Sequence, residues 1–159
     1  MMSTKVTLSL NINNTSKSVE SDGHATLLTV LRDGLGITSP KRGCNQGVCG
    51  SCTVMIDGTP QRSCLTLAAA CESKTVRTID GYADDPLMQA LQNQFRDCGA
   101  VQCGFCTAGL LISAYALLQE NPAPDLTDVQ NALSGNICRC TGYRKIVDGV
   151  IAAAKEVVS

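Results

Sequence analysis

The chain has 159 residues, enough for one ordinary domain or two small ones, and its 44% apolar content allows a buried core. Thirteen basic against 14 acidic residues, with no basic run, exclude the phosphate-neutralising surface that a nucleic-acid partner requires. The longest apolar stretch, Leu110 to Leu118, is broken by Ser113 and is too short to span a bilayer, and the segment after Lys5 lacks the apolar run of a secretory signal, so no membrane association and a cytoplasmic location are expected.

Taken in chain order, Val6, Leu8, Leu10 and Ile12 alternate with polar residues and predict a half-buried strand. Asn13-Asn14 reads as a turn, with a return strand reaching Val19 and Glu20. Thr26 is placed to cap a short helix with Leu27, Val30, Leu31 and Leu35 on its apolar face. Val54 and Ile56 alternate again before Asp57-Gly58, a hairpin signal, and a last strand is expected from Thr75 to Ile79. Beyond Gly81 the period becomes helical. Asp85-Pro86 opens a helix with Leu87, Met88, Leu91 and Phe95 on one stripe. A second follows Cys106, carries Leu110, Leu111, Ala114, Leu117 and Leu118, and ends at Asn121-Pro122. Thr127-Asp128-Val129-Gln130 fits a capping box for the third, with Gly135 at its end. The fourth aligns Ile146, Val147, Val150, Ile151, Ala154 and Val158. The expected class is therefore α+β, with a β-rich part over residues 1–81 and a four-helix part over residues 82–159.

Ten cysteines are the outstanding feature of the composition, and without a secretory signal they read as metal ligands rather than as a disulfide framework. The single histidine, His24, lies twenty residues before the first cysteine and reads as a solvated loop residue, which removes Rieske and Cys/His zinc chemistry. Cys44, Cys49, Cys52 and Cys64 form a C-x4-C-x2-C run with the fourth cysteine eleven residues further on, the plant-type [2Fe-2S] arrangement. Gly43, Gly47 and Gly50 are placed to give the left-handed dihedrals and close approach by which such a loop wraps a cluster. Cys103, Cys106, Cys138 and Cys140 form a C-x2-C and a C-x-C pair separated by 31 residues. By spacing alone this second set also admits a structural zinc site or a redox dithiol. Gly104 and Gly142 would give the backbone room beside a metal there, and the helix N-termini favour an anionic cluster. Cys71, in an apolar stretch, reads as a buried structural thiol and Cys98, near a helix end, as a partly exposed one, and neither reads as a ligand. No P-loop, dinucleotide fingerprint or nucleophile elbow occurs, so the chain alone is not a complete enzyme.

Gly43-Cys44 through Gly50-Ser51-Cys52-Thr53-Val54 and Ser63-Cys64 resemble the ferredoxin-like part of the xanthine dehydrogenase/aldehyde oxidoreductase family of molybdenum hydroxylases. Ala100-Val101-Gln102-Cys103-Gly104-Phe105-Cys106-Thr107 and Gly135-Asn136-Ile137-Cys138-Arg139-Cys140-Thr141-Gly142-Tyr143 resemble that family's second cluster motif. Ala108 departs from the proline usual after Cys-Thr, and Ser51 from a common alanine, without touching a ligand.

The resemblance implies a β-grasp, plant-type ferredoxin-like domain followed by a four-helix domain, together forming the iron–sulfur small subunit of an oxidoreductase. It implies two [2Fe-2S] clusters on the eight grouped cysteines. It also implies a large partner subunit with a molybdenum-pterin cofactor, in bacteria joined to a cytosine nucleotide, and a medium subunit with FAD, in a dimer of heterotrimers. The cluster of Cys103, Cys106, Cys138 and Cys140 is implied to be buried beside the pterin, with Gln102 and Cys140 contacting it, although Gln102 also reads as an ordinary loop amide. The cluster of Cys44, Cys49, Cys52 and Cys64 is implied to lie nearer the surface and face the flavin. The implied holoenzyme hydroxylates an N-heterocycle such as a purine or nicotinate-like ring, with an aldehyde or carbon monoxide dehydrogenase, or a free two-cluster ferredoxin, as alternatives.

Overall fold

The computed structural model describes residues 5–158 and leaves the Val158 side chain, expected on the apolar face of the last helix, outside the description. The alternation of β1 (Lys5–Ile12) puts Leu8, Leu10 and Ile12 inside, and β2 (Thr15–Asp22) pairs with it antiparallel. The turn between them is left-handed at Asn13 (φ 52°) and Asn14 (φ 61°), a geometry that asparagine tolerates and two-residue hairpins use. Thr26 caps α1 (Leu27–Thr29) through its hydroxyl, which accepts from the Thr29 amide, and the chain then widens into a π turn over Val30–Gly34. β3 (Thr53–Ile56) and β4 (Thr59–Arg62) flank Asp57-Gly58, and β5 (Thr75–Arg77) completes the sheet. The strand order is β2-β1-β5-β3-β4, with β1 and β5 parallel and the other pairs antiparallel.

Two expectations about this half are corrected. β5 stops at Arg77 rather than Ile79, because the Thr78 amide donates to Asn13 Oδ1 at 2.8 Å and Ile79–Tyr82 winds into a 3-10 turn. All four residues of β3 are buried, so the strand does not follow a one-sided alternation. Val54 and Ile56 join the core made with α1 and β1, whereas Met55 points into the helical core. β3 is thus sandwiched between two apolar layers, which is the condition for a strand with no polar face.

The helical half contains α2 (Pro86–Asp97), α3 (Thr107–Glu120), α4 (Leu126–Leu133) and α5 (Arg144–Val158). Asp85 caps α2, its Oδ1 accepting from the Met88 amide at 3.0 Å, with Pro86 at the first helical position. The cap of α4 is Asp125, not Thr127: Asp125 and Asp128 form a reciprocal capping box through each other's amides. A carboxylate at each end satisfies the same two donors that a Thr/Glu pair would, so the box opens two residues earlier than expected. α3 is buried at every position from Gly109 to Tyr115, and α2, α4 and α5 cover it with Phe95, Val129, Ile146 and Val150 among others. The fold is therefore α+β, a ferredoxin-like sheet half followed by a helical half.

The two halves meet without a spacer. Gly109 of α3 lies so close to the loop before β3 that a Cβ there would stand 2.2 Å from the Gly50 carbonyl oxygen. Only glycine fits that approach.

Candidate metal centres

The first set is assembled by the β3–β4 hairpin. Cys44 and Cys49 come from the loop ahead of it, Cys52 immediately precedes β3, and Cys64 follows β4. Cys52 (2% exposed) and Cys64 (4%) close against Leu28 of α1, an apolar lid that the cysteine spacing gave no reason to single out. The amides of Cys49 and Gln46 donate to Cys44 Sγ at 3.3 and 3.4 Å and bring that thiol down to about 6, favouring the thiolate a metal needs. Burial, followed by the neighbouring Cys52 side chain, pushes Cys64 up to about 11. Gly47 and Gly50 are left-handed as expected, and Asn45 joins them at φ 57°. Gly43 is not left-handed: its role is space, because a Cβ there would come within 2.8 Å of Cys49 Sγ.

The second set lies where α3 and α5 begin. Cys106 caps α3, and Cys138 and Cys140 precede α5 across the left-handed pair Gly142-Tyr143. Gly104 and Gly142 both have positive φ and open space where a Cβ would stand, so they supply a dihedral rather than the room expected. The Thr141 hydroxyl donates to Cys138 Sγ at 3.1 Å. Burial alone would raise the Cys138 thiol, but that hydroxyl and the amides of Thr141 and Cys140 bring it below its ordinary value. Burial, then Cys138, pushes Cys106 up to about 12. The Tyr143 hydroxyl accepts from the Cys138 amide at 2.9 Å and donates to the Asn136 carbonyl at 3.2 Å, locking the segment that carries the ligand.

Within this chain the second site is buried on its Cys138 side and open on its Cys103 and Cys140 side. Cys103 and Cys140 are exposed, and Val101, Phe105 and Ile137 beside them are 42%, 45% and 49% exposed. No element of the described residues covers this end. Gln102 is also exposed, its side-chain amide donating to the Cys140 carbonyl at 3.2 Å.

Both sets suit two irons rather than one ion. The thiols meet in pairs, Cys44 with Cys49, Cys52 with Cys64, Cys106 with Cys138, and Cys103 with Cys140 at 3.6 Å. Two thiolates at each end is what a two-iron rhomb takes, whereas tetrahedral zinc needs four around one point. Cys71 is fully buried, Cys98 caps α2, and His24 is exposed, as expected of residues outside either site.

Between the sites the backbone of one set touches that of the other. The Ile137 amide, adjoining Cys138, donates to the Cys49 carbonyl at 2.9 Å. The buried Asn136 amide donates to the Gly50 carbonyl at 3.1 Å and accepts from Ser113 Oγ at 2.8 Å. Neither Asn136 nor Arg62, which spans this seam, was identified as a site residue from the sequence; the Asn136 amide and Arg62 Nη2 find their partners, the Gly50 and Gly135 carbonyls, only once the two halves are docked.

Two groups of four cysteines, joined by the backbone hydrogen bond from Ile137 to Cys49, are the candidate sites of a two-cluster iron–sulfur protein. Comparison with known proteins agrees. A 2Fe-2S iron-sulfur cluster binding domain matches residues 10–76 and a [2Fe-2S] binding domain matches residues 78–151. The chain is 44% identical to the nicotinate dehydrogenase small FeS subunit of Eubacterium barkeri, covering 89% of this chain and 90% of that one. It is 44% identical to the nicotine 6-hydroxylase small subunit of Paenarthrobacter nicotinovorans, covering 98% and 93%. A chain in the crystal structure of quinoline 2-oxidoreductase from Pseudomonas putida 86 superposes with a TM-score of 0.90 at 44% identity, over 97% of this chain and 96% of that one. The chain belongs to the iron–sulfur small subunits of the xanthine dehydrogenase/aldehyde oxidoreductase family of molybdenum hydroxylases. It carries two [2Fe-2S] clusters and serves as an electron-transfer subunit of an oxidoreductase.

Proposed function

We propose that Cys44, Cys49, Cys52 and Cys64 hold one cluster and Cys103, Cys106, Cys138 and Cys140 the other, with single electrons entering at the second site and leaving by the first. The observation that carries this reading is the polarity of the second site. Its Cys103, Cys140 and Gln102 open outward, while its Cys138 side is tied through Ile137 to the Cys49 carbonyl. One end is open to a donor and the other leads inward to the first site.

The donor proposed is a molybdenum-pterin cofactor, in its cytosine dinucleotide form, on a large partner subunit; when bound it supplies the hydroxylation of a C–H bond. Gln102 and Cys140 of this chain are assigned to its pterin edge. The single exposed bond from Gln102 to the Cys140 carbonyl leaves that amide able to exchange partners. The half-exposed Val101, Phe105 and Ile137 form an apolar rim that such a subunit would cover. The outlet proposed is FAD on a medium subunit facing the Cys44 loop, in a dimer of heterotrimers. An N-heterocyclic substrate is supported by the names of the relatives, which act on nicotinate, nicotine and quinoline. Cysteines given to clusters rather than to disulfides suit the reducing cytoplasm. Two apolar cores, one under the sheet and one among the helices that also takes in Met55 and Ile79, support a division into a ferredoxin-like domain over residues 1–81 and a helical domain over 82–159.

Cys103→Ser tests the wiring. The complex should keep the cluster signal of the Cys44 loop, lose the ordinary signal of the second site, and pass no electrons from substrate to an external acceptor. Wild-type turnover in that variant would refute this order of electron flow.

A further inference from the structure

Arg62 ends β4, two residues before the ligand Cys64, and its guanidinium spans the seam between the halves. Nη1 donates to Thr53 Oγ1 at 2.6 Å, Nη2 to the Gly135 carbonyl at 2.6 Å, and Nε more weakly to the Gly47 carbonyl at 3.4 Å. Gly47 of the first loop and Thr53, which opens β3, bracket Cys49 in sequence, and Gly135 lies two residues before Ile137. One rigid fork therefore grips both backbones on whose apposition the hydrogen bond from the Ile137 amide to the Cys49 carbonyl depends.

We propose that Arg62 is a positioning residue for electron transfer between the two clusters, holding the Gly135–Cys138 segment against the Cys49 loop. This rests on the assignment of the clusters to the eight cysteines. Tunnelling weakens exponentially with the gap, and a hydrogen bond is a far shorter step than the open space left when it breaks. Asn136 fastens the middle of this segment to the Gly50 carbonyl and Ile137 its end to the Cys49 carbonyl, while Arg62 fastens its start at the Gly135 carbonyl. Without Arg62 the Gly135 start of the segment is no longer fastened to the sheet half by that bond.

Gly135 offers a second, independent lesion. A Cβ there would come within 2.4 Å of Arg62 Nη2, and no other group than the Arg62 guanidinium lies near it. Its backbone is not left-handed, so alanine is tolerated by the chain while the flexible end of Arg62 is displaced. Gly135→Ala thus removes the contact and keeps the charge.

The test uses the intact complex purified through this chain, photoreduced by a flash-excited deazaflavin and followed by freeze-quench EPR. Iron content and the two separate [2Fe-2S] signals of the wild type check the cluster assignment first; their absence would refute that assignment and not the role of Arg62. With both signals present, Arg62→Met and Gly135→Ala should each slow equilibration between the clusters by roughly tenfold. Arg62→Lys, a point charge unable to reach Thr53 and Gly135 together, should remain slow, and the double variant Arg62→Met/Gly135→Ala should be no slower than either single one. A merely structural role would lower iron content and leave equilibration unchanged in the clusters that form. Wild-type rates in Gly135→Ala and Arg62→Lys, with slowing only in Arg62→Met alongside a shifted potential of the first cluster, would overturn the proposal in favour of a charge effect. Should Arg62→Met fail to assemble, Gly135→Ala and Arg62→Lys decide the matter.

Discussion

The Thr141 hydroxyl donates to the sulfur of Cys138 at 3.1 Å, and hydrogen bonds to a ligand sulfur stabilise the reduced, more negative state of a cluster. Replacing it with the near-isosteric valine removes the donor with little change of shape. Thr141→Val is therefore expected to lower the midpoint potential of the second cluster by on the order of 50 mV, from a charge-assisted bond of about 1.5 kcal/mol. EPR-monitored potentiometry of the complex measures it, with the first cluster as an internal reference. Equal shifts in both clusters, or none, would contradict a local donor. At this scale the two groups of four cysteines stand out in the sequence because sulfur chemistry imposes spacing and glycine interleaving on a short stretch of chain. Leu28, Asn136 and Arg62 do not, since each acquires its role from a partner 24 to 86 positions away.

Helix α2 depends on a pair of side chains that serve it together. Asp85 caps its first turn through Oδ1, and Tyr115 of α3 donates to Asp85 Oδ2 at 2.8 Å, tilted against the Tyr82 ring. Burial and then the Asp85 carboxylate raise the Tyr115 phenol above its ordinary value. A raised folded-state value means that this stabilisation is complete below the unfolded value of about 10 and is lost as pH rises through the folded one, so neutral pH leaves it intact. Tyr115→Phe should loosen the start of α2 by about 1.5 kcal/mol, read as faster hydrogen exchange at Met88 and Leu91 with both cluster signals retained. Unchanged exchange would show that the cap stands without the phenol. The boundaries of α2 and α3 could be read from the sequence because Asp85-Pro86 and Asn121-Pro122 punctuate them locally. The end of β5 could not, since what stops it is the Asn13 side chain across the sheet, and the start of α4 was misplaced because two acidic residues took the roles expected of threonine and glutamine.

At the scale of the whole molecule, the two halves are joined at a seam where side-chain and backbone donors meet backbone carbonyls. Gly109 lets α3 lie on the Gly50 carbonyl, and Asn136, Ile137 and Gly135 then meet the first loop through the Gly50 carbonyl, the Cys49 carbonyl and the Arg62 guanidinium. The division into a sheet half and a helical half was visible as a change of period near Gly81, but the docking was not, because no periodic pattern encodes it. The same limit explains the second site. Its resemblance led to an expectation of burial, while the chain leaves Cys103 and Cys140 open, their cover lying in whatever binds the rim of Val101, Phe105 and Ile137. The most direct measurement is the iron, molybdenum and FAD content of the complex purified through this chain at native expression. About four iron atoms per chain with near-stoichiometric molybdenum and FAD is the result predicted for two [2Fe-2S] clusters wired between a molybdenum subunit and a flavin subunit. Four iron atoms with no molybdenum and no larger chains attached would contradict it and make this protein a free two-cluster ferredoxin.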